Sequence, residues 1–124
     1  MPELDMIETQ GLPHIHLFVA DLDRSLRFYR DVFGLEEMFR DGPTMVFLRP
    51  PNSSDTITLQ EVPEKAGKPG GVDHFGFRLV DKDQLDRAIE EVERAGGGLL
   101  ERGEHAPDSP YAYVLDPDGY TIEL

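Results

Sequence analysis

Two stretches of the chain alternate apolar and polar residues in the same way and then change period at an aspartate. His14-Ile15-His16-Leu17-Phe18-Val19 and His74-Phe75-Gly76-Phe77-Arg78-Leu79 read as strands, because successive side chains on an extended backbone point to opposite faces. Asp21 and Asp81 each follow the opening histidine by seven positions and are N-cap residue types, able to accept a hydrogen bond from a free N–H of a first helical turn. Apolar residues then recur at helical spacing: Leu22, Leu26, Tyr29, Val32 and Phe33 in one case, Leu85, Ala88, Ile89 and Val92 in the other. Gly34 and Gly96 supply the stops. Short β-like runs follow each helix, at Leu35 to Arg40, Thr44 to Arg49 and Thr56 to Val62, then at Gly98 to Arg102, Pro110 to Leu115 and Tyr120 to Leu124. The pattern predicts a βαβββ unit written twice.

The expected fold class is α+β, a single domain over residues 1–124 with modules of about 13–62 and 72–124. Arg49 to Ser54 and Pro63 to Gly71 are loops by composition, the second linking the modules. Asp116-Pro117-Asp118-Gly119 has the chemistry of a tight turn between the last two strands. His105 falls in a Gly103 to Pro110 loop and is expected to be solvated.

Parity along the strands separates two faces. Ile15, Leu17 and Val19 share one face of the first strand, leaving His14, His16 and Phe18 on the other. Ile57 and Leu59 oppose Thr56, Thr58 and Gln60; Phe75, Phe77 and Leu79 oppose His74, Gly76 and Arg78; Tyr120, Ile122 and Leu124 oppose Thr121 and Glu123. Four strands thus offer an apolar face to the helices and a polar face that lines a cup if the sheet curves. Two histidines at equivalent repeat positions, with a glutamate on the same side, are the donor types of a facial metal site.

Charge narrows the partners. Twelve Lys+Arg against 25 Asp+Glu give a formal net charge of −13. A surface of that sign repels phosphates, so neither nucleic acid nor an anionic membrane is an expected partner. Hydrophobic residues make up 39% of the chain, enough for a packed core, and the absence of cysteine removes disulfides, Cys-ligated zinc and thiolate catalysis. The acidic start Met1-Pro2-Glu3-Leu4-Asp5 lacks a signal-peptide pattern, and no apolar run is long enough to span a bilayer. The expectation is a soluble, unprocessed, cytoplasmic protein. Glu36-Glu37 and Glu90-Glu91 read as solvated faces.

From about Pro13 to Leu124 the chain resembles the vicinal oxygen chelate superfamily, which groups glyoxalase I, bleomycin-resistance proteins, fosfomycin-resistance enzymes, methylmalonyl-CoA epimerase and extradiol dioxygenases. The resemblance rests on His14-Ile15-His16-Leu17-Phe18-Val19-Ala20-Asp21-Leu22-Asp23-Arg24-Ser25 with Phe28-Tyr29 and Gly34-Leu35, on Asp73-His74-Phe75-Gly76-Phe77, and on Asp116-Pro117-Asp118-Gly119-Tyr120-Thr121-Ile122-Glu123-Leu124. It implies two βαβββ modules forming a curved mixed-sheet cup. It also implies a divalent metal ion (Fe, Mn, Ni, Co or Zn) held by His14, His74 and Glu123. Where glyoxalase I and the epimerase carry a fourth ligand, this chain matches Thr58, with Gln60 two residues on. That departure favours the three-ligand pattern of the dioxygenases and fosfomycin-resistance enzymes, although His16 stands where the thiol-transferring type of the latter has threonine. The family also implies a homodimer that shares each site between subunits.

On this reading the chain is a metal-dependent lyase, isomerase or dioxygenase acting on a small substrate chelated through adjacent oxygens. The alternative is a non-catalytic sequestration protein of the bleomycin-resistance type. His16 is the candidate general base or a substrate contact, since imidazole titrates near neutrality. Phe18, Thr58, Gln60, Arg78 and Tyr113 are the candidate substrate contacts.

Overall fold

A computed structural model describes residues 7–68 and 70–124. β1 (His14–Val19) leads into α1 (Leu22–Phe33), and β2 (Glu36–Arg40), β3 (Met45–Arg49) and β4 (Thr56–Glu61) complete the first half. The second half runs β5 (Phe75–Gly76), α2 (Leu85–Arg94), β6 (Gly98–Ala106), β7 (Ser109–Leu115) and β8 (Thr121–Glu123). Each half forms a four-stranded mixed sheet, ordered β1-β4-β3-β2 and β5-β8-β7-β6. In each, the first and last strands of the half pair in parallel and the other ladders are antiparallel. The double βαβββ architecture expected from the repeat is the observed one.

Local chemistry explains the boundaries of α1. The Asp21 carboxylate accepts from the Arg24 N–H at 3.1 Å. At the other end Gly34 adopts a left-handed conformation (φ 68°) that side chains disfavour, and its N–H closes on Arg30 O at 3.0 Å. Leu22, Phe28 and Tyr29 on one face of α1, and Leu85, Ile89 and Val92 on one face of α2, are buried against the apolar sheet faces.

The second half departs from the repeat. β5 keeps only Phe75 and Gly76 of the six residues expected to be extended, because its partner β8 offers three residues where β4 offers β1 six. Asp81 caps a 3-10 turn (Lys82–Gln84) through the Asp83 N–H before α2 begins. β6 runs on to Ala106 instead of stopping at Arg102, so His105 lies on a strand and not in a loop. Gly103 and Pro110 look like breakers in composition, yet both lie in the β6–β7 ladder, opposite Tyr111 and Glu104 respectively.

The halves are tied together through α1. Phe33 stacks on Phe77 at 4.2 Å. The Tyr29 hydroxyl donates to buried Asp116 at 2.7 Å. Asp118 accepts from the Ala20 N–H, from the Arg24 guanidinium and from the Ser25 hydroxyl. Among the described residues no helix is long and apolar enough to cross a membrane.

Candidate metal centre

β5 and β8 lie side by side, and Gly76 lets them approach: a Cβ there would meet Glu123 O at 2.8 Å. This places His74, just before β5, against Glu123. His74 Nε2 is 3.0 Å from Glu123 Oε1, and its Nδ1 is 2.7 Å from Asp73 Oδ2. The ring is held between two carboxylates, and the Asp73 hydrogen bond leads in raising its pKa above the ordinary histidine value. A carboxylate on the far ring nitrogen of a ligating histidine is the usual outer-shell arrangement, since it fixes the ring and raises its basicity. Tyr113 stands opposite Glu123 on β7 and sets its ring edge-on to His74 at 4.9 Å.

Glu123 has a second imidazole. His105 donates from Nε2 to Glu123 Oε2 at 2.9 Å, and this bond leads in lowering the pKa of the carboxylate. His105 and Asp73 are therefore site residues that the strand patterns did not single out. Strand parity could not have found His105: a regular hairpin turning at 107–108 would pair Tyr113 with Arg102 and bring even-numbered β6 residues to its side, and it is the register shift between Glu104 and Ala106 that sets Glu101 and Gly103 opposite Tyr113 and Tyr111.

His14 is on the other sheet. Its Nδ1 lies 2.9 Å from Thr56 Oγ1, and no partner for Nε2 occurs among the described residues. His14 and His74 line one groove of about 290 Å³ together with Ile15, Phe75 and Phe77. Even so, no three His, Asp or Glu side chains among the described residues come together as a metal-holding group. The donor set still fits an ion. Each of the two histidines has Nδ1 engaged by an oxygen, leaving Nε2 as the coordinating atom, and the Glu123 carboxylate meets one of them.

The other expected contacts separate into groups. His16 Nε2 is 2.9 Å from Gln60 Oε1, and its ring meets Phe18 edge-on at 5.6 Å. These three residues form one polar–aromatic patch on the β1/β4 face, with Lys65 over the Phe18 ring. Thr58, an expected substrate contact, pairs with His16 and is fully buried, with a hydroxyl that has no hydrogen-bond partner among the described residues. It is enclosed by neighbours and presents nothing to a substrate. Arg78 lies beyond the short β5, exposed and outside the His74–Glu123 cluster.

The family model described as Glyoxalase/Bleomycin resistance protein/Dioxygenase superfamily matches residues 11–124. The chain belongs to this superfamily. It is 31% identical over 113 residues to a manganese-dependent 2,3-dihydroxybiphenyl 1,2-dioxygenase of Geobacillus genomosp. 3, covering 90% of this chain and 35% of that protein. It is 31% identical over 122 residues to a lactoylglutathione lyase of Neisseria meningitidis serogroup B, covering 91% of this chain and 88% of the lyase. The chain thus spans about a third of the dioxygenase's length and most of the lyase's. Among solved structures, a mutant of the fosfomycin resistance protein FosX from Listeria monocytogenes, complexed with Mn(II) and 1S,2S-dihydroxypropylphosphonic acid, superposes with a TM-score of 0.78. It is 22% identical and covers 94% of this chain and 90% of that one, a likeness of fold.

Proposed function

We propose that this protein is a divalent-metal-dependent enzyme that acts on a small substrate chelated through adjacent oxygens, with dioxygenase chemistry as the first reading. The observation that carries the proposal is the His74–Glu123 pair, with Asp73 holding the far nitrogen of the ring. His14, His74 and Glu123 would hold the ion. When bound, it supplies Lewis acidity to the chelated oxygens.

The separation of His14 from the other two supports a homodimeric enzyme in which a second copy brings its β1 histidine to each site. Three protein ligands leave three positions of an octahedral ion free, enough for two substrate oxygens and a third group. A buried threonine in place of a fourth carboxylate or amide ligand favours the dioxygenase reading. The match over most of a lyase's length favours the lyase as second reading. In either case His16, anchored by Gln60, keeps Nδ1 for a substrate hydroxyl, Phe18 gives an apolar wall, and Tyr113 orients the anionic end.

The test begins with metal analysis of protein purified without chelator or nickel resin. Ala replacements at His14, His74 or Glu123 should each lower metal affinity by about 100-fold or more while leaving the far-ultraviolet spectrum intact. Unchanged affinity in all three variants defeats the site. Less than about a tenth of an ion per chain, with no gain on adding Mn, Fe, Ni, Co or Zn, points instead to the sequestration reading. Mixing His14→Ala with Glu123→Ala chains should return roughly a quarter of parental metal binding if the site is shared, and nothing if each site lies within one chain. Oxygen uptake with catechols, set against isomerisation of thiohemiacetals, separates dioxygenase from lyase.

A further inference from the structure

The two oxygens of Glu123 are engaged from opposite sides, by His74 on Oε1 and by His105 on Oε2. What fixes His105 is a layered arrangement in the β6–β7 hairpin. His105 occupies a bulge: Glu104 pairs with Pro110 and Ala106 with Ser109, leaving the residue between them unpaired. Bulges re-aim a side chain relative to its ladder. The re-aimed imidazole lies flat on the Tyr111 ring, with centroids 4.1 Å apart and planes within 12°.

Tyr111 is fixed in turn. Its hydroxyl donates to Glu101 Oε2 at 2.7 Å. Its ring lies down over Gly103, the residue opposite it in the ladder. A Cβ at Gly103 would stand 3.0 Å from the Tyr111 hydroxyl oxygen and 3.1 Å from the nearest ring carbon. Gly103 does not have a positive φ, so what a side chain here would meet is the Tyr111 ring, which would have to shift by a few tenths of an ångström, and not a backbone restriction.

We propose that Gly103, Tyr111 and Glu101 form a rigid platform for His105, and that His105 is a positioning residue that holds Glu123 Oε2 so that Oε1 alone is offered to a metal ion. The inference rests on the metal-site reading above and adds the denticity of one ligand. A carboxylate free to turn can bind through both oxygens and occupy two positions of the ion. Held by one oxygen, it leaves the additional position to the substrate.

The experiment counts exchangeable waters on protein-bound Mn(II) by solvent proton relaxation, with binding of Mn(II) itself measured in parallel. His105→Ala and Gly103→Ala should each retain bound Mn(II) but lose about one exchangeable water of three, lowering the per-ion relaxivity by about a third. Tyr111→Phe, which keeps the ring and loses the Glu101 tether, should fall between parent and Gly103→Ala. His105→Gln, which retains an N–H donor, should restore the parental value. In the metal-free protein, long-range proton–nitrogen spectra should show His105 protonated at Nε2 in the parent, with that signature broadened in Gly103→Ala. Parental relaxivity in both His105→Ala and Gly103→Ala, with Mn(II) bound, overturns the proposal and leaves the metal site standing. Failure of the parent itself to bind Mn(II) overturns this inference, and overturns the site as well if Fe, Ni, Co and Zn are not bound either.

Discussion

The segment between β3 and β4 and the turn between β7 and β8 occupy equivalent places in the two halves, yet only one reaches across the molecule. Residues 50–55 form an exposed connector whose hydrogen bonds are local, Ser53 N–H to Pro50 O and Asp55 N–H to the Ser53 hydroxyl. In the other half Asp116 is buried, accepts the backbone N–H groups of Asp118 and Tyr120 with one oxygen, and takes the Tyr29 hydroxyl on the other. Asp118, two residues on, takes three donors from the region of Ala20 to Ser25. The repeat has duplicated the strand order but not the wiring. One turn has become the clamp that seats the first helix on the second half, and with it the orientation of one polar face relative to the other.

The largest expected effect breaks that contrast directly. Asp116→Ala orphans the buried Tyr29 hydroxyl and two backbone donors, and should cost about 3 kcal/mol in urea unfolding. Asp55→Ala in the opposite connector should change stability by less than about 0.5 kcal/mol. Equal losses would mean that the two connectors contribute alike.

A pH scan sharpens the same contrast. Burial, followed by the charge of Asp116, raises the Tyr29 pKa well above the ordinary tyrosine value of 10.0. Above pH 10 the unfolded chain therefore releases a proton that the folded chain keeps, and stability falls with rising pH by about 1.4 kcal/mol per unit from this group. Tyr29→Phe should lose that increment of slope in unfolding measured between pH 9 and 11, while Tyr111 and Tyr113 contribute to both proteins. An unchanged slope would remove Tyr29 from the alkaline transition.

The smallest effects concern the caps. Asp21 caps a full α-helix and Asp81 only a 3-10 turn. Asp21→Ala should cost about 1 kcal/mol and Asp81→Ala about half of that, measured by thermal unfolding. The reverse order would show that the second cap, not the first, secures its helix.

Much of this was legible in the residues. Alternation in His14–Val19, the aspartate cap, the helical spacing through Phe33 and the glycine stop are all local, and the structure repeats them almost residue for residue. The apolar parity of β4 and β8 likewise matches the buried set Ile57, Leu59 and Ile122. The polar face was legible at His74 and Glu123, which meet, whereas Thr58, on the polar side of its own strand by alternation, is fully buried. His105 was hidden because Gly103 and Pro110 are read by composition as a loop, whereas pairing with β7 extends the strand past both.

By itself the sequence determined the double βαβββ order, the family and the two apolar faces, because each depends on neighbours within a few positions or on a period that the chain repeats. The tertiary structure decided which polar groups meet. β5 shrinks to two residues because β8 is short, and His105 reaches Glu123 because a bulge turns it across 18 positions of chain. Those contacts are set by strand register and by the space left at Gly76 and Gly103, quantities that exist only when distant segments lie side by side.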